Sequence, residues 1–344
     1  MKFHVPVQSP ISCARAWLEN KTRLTTLNYY GEIIPSIGFM QTHEPMTRKI
    51  ILDRLLDNWI NLTGYYPKGL FCFQPDTFVV NYLEESKISY LQGYCFDQYL
   101  VDYMTMRGGW QLPYYASSSH VLKPNEEERG VVILPHVTWD WGASFTESHE
   151  LNTQIYNLKS IFKGNMTMAE NYFYNLVDET LRGSKPLGFV SIQFEWCWAG
   201  LDGNMKDYAK NWIMELLKKR DCNFWSYGAF SDWFIEQYKF TPEYSVNFVS
   251  PYSKQKIEWF FNRSYRIARM ENRIVSYIKY QEQTSDKYLE TCEIIDMANP
   301  SSTENSIDNS LEFTVDALGG GAYRAGVNGE SLLYEGNLDD FKIP

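Results

Sequence analysis

Two carboxylates in this chain stand beside tryptophans at the ends of apolar runs. Glu195 follows Gly188-Phe-Val-Ser-Ile-Gln-Phe194 and precedes Trp196. Asp140 lies between Trp139 and Trp141, just after His136 closes Gly130-Val-Val-Ile-Leu-Pro135. A carboxyl group held among indoles loses water, and desolvation raises its pKa. A second carboxylate in a wetter place stays ionised. Such a split pair can serve as general acid and as base or nucleophile on a glycosidic or acyl bond. Each residue also has a plainer reading. Glu195 could be a paired structural carboxylate, Asp140 an acceptor for an indole N–H, and His136 an imidazole bonded into a rim.

Further polar residues fall where apolar runs stop: His43 with Glu44, Gln74 with Asp76, and Asp97. Asp76 precedes a helical run and is equally well placed as that helix's N-cap. Aromatic residues make up 16% of the chain, including 25 Tyr and 11 Trp. Flat rings with a polar edge suit sugar, although such residues more commonly fill a core and its rim. Trp110, Trp139, Trp196 and Tyr115 are the candidates for a stacking surface.

Several chemistries lose their signature. His43-Glu44 and His149-Glu150 each begin a zinc-protease H-E-x-x-H, but Thr47 and Thr153 occupy the last position. No phosphate-binding G-x-x-x-x-G-K-[ST] occurs, and Gly319-Gly-Gly321 lacks dinucleotide spacing. The 6 cysteines are scattered without a C-x-x-C pair, which fits a reducing compartment better than a disulfide framework. A net charge of -10 argues against a nucleic-acid groove. The start lacks a signal peptide's apolar core, and no apolar run reaches bilayer length, so the expected location is cytoplasmic and off the membrane.

The elements that must position these groups alternate in type. Ile51, Leu52, Leu55, Leu56, Trp59 and Leu62 recur at helical spacing behind Pro45 and before Gly64. A strand at 69–73, a helix to Ser86 and a strand at 88–92 follow; 32–40, 130–136, 188–196 and 223–227 read as further strands. Thr167 and Glu170 suggest a capping box opening a helix that Gly183 closes. A helix from Asp202 or Asn204 carries Trp212 and Leu216, and another spans 232–238. Strand–helix alternation predicts parallel β with crossover helices, α/β in class, and a distorted (β/α) barrel fits the count. From Lys256 the pattern alternates apolar and polar, which predicts antiparallel β. The expected division is a barrel domain at 1–243 and a smaller β-rich accessory domain at 244–344.

The segments Leu62-Thr-Gly-Tyr-Tyr-Pro-Lys-Gly-Leu-Phe71, Gln74-Pro-Asp76 and Gln92-Gly93 resemble the central part of polysaccharide-deacetylase-like barrels. With Pro113-Tyr-Tyr115 and Ser119-His120, the chain is similar to an uncharacterised bacterial group within that glycoside hydrolase/deacetylase superfamily. The resemblance covers roughly residues 30–240. It implies a distorted barrel, a C-terminal β domain and a hydrolytic site for carbohydrate, with His43 and His120 orienting substrate. The deacetylase metal pattern is incomplete here. The only adjacent Asp pair is Asp339-Asp340, and no H-x-x-x-H exists.

The sequence reading is therefore a glycosidase-like hydrolase acting on glycan through Glu195 and Asp140, with His136 and Asp76 assisting and no cofactor assigned. A barrel that binds glycan without cleaving it is the alternative. A metal-dependent deacetylase with degenerate motifs comes third.

Overall fold

The computed structural model describes residues 7–11, 21–37, 45–72, 77–93, 110–118, 121, 123–143, 151–194, 202–218, 223–271, 273–279, 314–319, 322–327 and 330–335. The chain opens with β1 (Val7–Ile11), α1 (Lys21–Tyr30), β2 (Gly31–Ile37), α2 (Pro45–Thr63), β3 (Gly69–Cys72), α3 (Thr77–Glu85) and β4 (Tyr90–Gln92). These strands, with β5 (Tyr114–Tyr115) and β6 (Val132–Leu134), form one sheet in the order β1-β2-β3-β4-β6-β5. All neighbours in it are parallel except β5 and β6. From β1 to β4 each new strand is laid beside its predecessor, β6 then joins β4, and β5 closes the edge antiparallel to β6, so the parallel order advances in one direction rather than reversing as in a doubly wound sheet. Among the described residues the ladders do not return to β1, so the architecture shown is mixed α/β with a largely parallel sheet.

Helix α2 explains how one layer covers this sheet. Leu52, Leu55, Leu56, Trp59 and Leu62 form its buried stripe. Pro45 opens it, where a missing N–H costs nothing. Gly64 closes it at φ +82, its N–H reaching the Ile60 carbonyl at 2.7 Å. Ile33 on β2 packs outward with Trp59, Leu62 and Leu24, while Ile34 faces the main core. Alternation along the strand thus buries both faces, as a parallel sheet requires.

The middle of the chain contributes α4 (Ile155–Ile161), α5 (Met166–Gly183), α6 (Gly203–Lys218) and α7 (Tyr227–Gln237). The cap of α5 is Asn165, whose side chain accepts from the Met168 N–H; Thr167 lies inside the helix, so the expected capping box is not used. Among the described residues two expected strands do not form. Residues 187–194 run outside any ladder, and 223–226 lead into α7, which Ser226 caps from the Ala229 N–H. Apolar character alone does not make a strand. A neighbouring edge with free ladder groups is also needed.

A second sheet has the order β11-β10-β9-β8-β7, entirely antiparallel. Its members are β7 (Ser184–Lys185), β8 (Tyr244–Val249), β9 (Lys256–Phe261), β10 (Tyr265–Met270) and β11 (Arg273–Lys279). A third sheet joins β12 (Thr314–Gly319), β13 (Ala322–Val327) and β14 (Glu330–Glu335) in antiparallel order. The alternating tail is thus antiparallel β as its periodicity predicts. One buried cluster runs through both of the larger sheets. Trp110 packs against Tyr244 and Phe261, and Trp141 against Trp259 and Phe261.

Candidate functional site

In parallel ladders, paired residues present their side chains on the same face. Ser36 pairs with Phe71, Phe71 with Gln92, and Gln92 with Leu134. These four make one transverse row near the C-terminal ends of β2, β3, β4 and β6. Two residues beyond Leu134 along the same face stands His136, its ring 6.3 Å from that of Phe71 and nearly perpendicular to it. Strand ends of this kind are where β/α folds display reactive groups. Gln92 and His136 are both buried.

Segment 135–138 is held firmly. Ser191 donates its hydroxyl to the His136 carbonyl at 2.7 Å, and its N–H to Thr138 Oγ1 at 2.8 Å. The Thr138 N–H reaches the Ser191 carbonyl at 3.1 Å. Tyr227 donates to the Pro135 carbonyl at 3.0 Å and also meets the Ser191 hydroxyl. Burial keeps the Tyr227 hydroxyl above the ordinary phenol range, opposed by its bonds to Ser191 and Gln92. The stretch 187–194 therefore braces the imidazole-bearing corner without joining a sheet.

At the opposite end of the strands lies Glu32. It accepts from the Tyr90 hydroxyl at 2.9 Å and from the Gly228 N–H at 2.7 Å, so its carboxylate caps the first turn of α7. Sequence reading passed over Glu32, Gln92, Ser191 and Tyr227 as functional candidates. The period-two pattern Glu32, Ile34, Ser36 is a signal that places Glu32 on the inner face. Nothing local points to Tyr227, whose partners are distant in sequence.

Asp140 is fully buried, as its tryptophan neighbours suggest. One oxygen accepts the Gly142 and Ala143 N–H groups at 3.1 and 3.0 Å. The other accepts the hydroxyls of Tyr172 at 3.1 Å and Ser250 at 2.8 Å. Desolvation nonetheless raises its pKa above the ordinary aspartate value of 3.8, against the pull of those donors. The carboxylate thus ties its own turn to α5 and to the loop after β8. Both oxygens are engaged by protein donors.

Of the expected stacking residues, Trp110, Tyr115 and Trp139 are all buried. Trp110 is a core aromatic. Tyr115 donates to the Tyr238 carbonyl at 2.8 Å, and Trp139 exchanges backbone bonds with the Gln111 amide. None of the three offers an open face. His43, Asp76, His120, Glu195 and Trp196 lie outside the described residues. Among the described residues no three His, Cys, Asp or Glu side chains gather as metal ligands would. With both Asp140 oxygens occupied, the described donors do not fit a metal centre. No described helix is long and apolar enough to cross a membrane.

A family model for a domain of unknown function with a solved structure, DUF3863, matches residues 28–173. That span holds β2 through α3, β4, β6, His136 and Asp140. No curated protein matches the chain. A crystal structure of a candidate polysaccharide deacetylase from Mycobacterium smegmatis aligns over 69% of this chain and 74% of its own, at 13% identity and a TM-score of 0.41. A likeness of that size carries no argument about activity.

Proposed function

We propose that this protein is a carbohydrate-directed hydrolase working at the C-terminal edge of its parallel strands. The observation that carries the reading is His136, set against Phe71 beside Gln92 at three strand ends and braced by Ser191 and Tyr227. A rigidly held imidazole at that edge is suited to proton transfer on a bound substrate. Glu195 is the acid/base or nucleophile in this proposal, with Asp76 as a second carboxylate. Asp140 is a positioning residue, because both of its oxygens are committed to the fold. The test is turnover on a panel of glycans by Glu195→Gln and His136→Asn. We expect losses on the order of 10²–10⁴-fold in kcat. Unchanged turnover in Glu195→Gln would remove that assignment.

One observation favours a second reading, a barrel-like fold that binds glycan without cleaving it. A carboxylate suited by sequence to catalysis, Asp140, is saturated with donors. Calorimetric binding of a glycan with no product on chromatography would select this reading. Stoichiometric divalent metal in the purified protein, with acetate released from an acetylated glycan, would select deacetylation instead.

A further inference from the structure

The described tryptophans divide sharply by exposure. Trp59, Trp110, Trp139, Trp141, Trp212 and Trp259 are buried. Trp225 is 42% exposed. Indole is highly buried on average, and Trp225 is not a lone surface ring but half of a partly exposed aromatic pair with Trp233. Trp225 is well held. It directly precedes Ser226, the N-cap of α7, and it packs against Trp233 at 5.8 Å and Phe230 at 6.5 Å. Trp233 is itself only half-buried and is braced by Phe230 and Tyr238.

The surroundings of this pair restrict what it can take. Ala229, Asp232, Trp233 and Glu236 recur at three- and four-residue spacing, and Ala229, Asp232 and Glu236 are exposed. By that spacing Ala229, a small residue, and the carboxylates of Asp232 and Glu236 fall on the same side of α7 as Trp233. Asp232 also pairs with Lys68 at the surface. Carboxylates accept hydrogen bonds from sugar hydroxyls and repel anionic polymers, and the chain as a whole carries -10. An amphipathic ring suits the apolar face of a pyranose.

We propose that Trp225 and Trp233 form a surface site for a neutral polysaccharide chain, separate from the row that ends in His136. The ligand class rests on the carbohydrate reading above, whereas the site itself requires no turnover.

The test is affinity electrophoresis of the full chain through gels cast with neutral glycans (a β-glucan, a mannan, a xylan) and, separately, with alginate. Wild type should be retarded by at least one neutral glycan and not by alginate. Trp225→Ala should weaken that retardation about tenfold, Trp225→Phe should retain most of it, and Glu195→Gln should retain all of it. Thermal unfolding would verify that Trp225→Ala is folded, as an exposed position predicts. Equal retardation of wild type and Trp225→Ala, or none by any neutral glycan, would overturn the proposal. A wild-type dimer that becomes a monomer in Trp225→Ala would give this face to a second copy and overturn it as well. Retardation that depends on Trp225, with no cleavage product, would sustain this site while the hydrolase reading failed.

Discussion

At the scale of single residues, Asp140 shows how far a buried carboxyl group can be engaged by donors of its own fold. Its four donors come from its own turn, from Tyr172 and from Ser250, yet burial outweighs them and its pKa is raised. The native state therefore holds the Asp140 proton to a higher pH than the unfolded chain does. Relative to Asp140→Asn, wild type should lose stability as pH rises above 3.8 and level off past the folded pKa. Urea unfolding of both proteins between pH 4 and 8 would measure this difference. A slope of opposite sign would mean that the donors win. The position was legible in the sequence, since Trp139 and Trp141 flank it. Its role was not, because Tyr172 and Ser250 lie 32 and 110 residues away.

At the scale of elements, the inner face of the parallel strands is fixed by fit as much as by polarity. A Cβ on Gly69 would fall 2.1 Å from the Tyr90 ring, so β3 can lie beside β4 here only with glycine at that position. The Tyr90 hydroxyl then reaches Glu32, which in turn caps α7 through Gly228. Gly69→Ala should cost about 1–3 kcal/mol by overpacking. The same change in a Tyr90→Leu background should cost clearly less, a coupling that a double-mutant cycle by chemical denaturation would read. Additive costs would place the strain elsewhere. Helix α2 was legible in full from spacing, proline and glycine. The strand expected from Gly188 does not form over 188–194, because Ser191 spends its backbone groups on Thr138 rather than on a ladder.

At the scale of the molecule, the second sheet is joined to the first by shared aromatic packing. Trp110 and Trp141 meet Tyr244, Trp259 and Phe261, all beyond the division expected at 243. A chain ended at Glu243 should therefore unfold with a broad, weakly cooperative transition and red-shifted tryptophan emission. A sharp transition with blue emission would show that 1–243 folds alone. Burying such rings contributes on the order of 1.5–3 kcal/mol for each large side chain, which is a sizeable share of a typical domain's margin.

The sequence by itself determined the alternation of strand and helix in the first half, the antiparallel tail, and the residues at strand ends that invite a chemical reading, His136 and Asp140 among them. Those features follow from periods of 2 and 3.6 and from punctuation by proline and glycine, all of which act over a few neighbours. Tertiary structure alone decided that Asp140 is saturated with donors and, among the described residues, which tryptophans are buried while Trp225 remains open to solvent. Hydrogen-bond partners and burial are set by residues distant along the chain, and no local pattern encodes them.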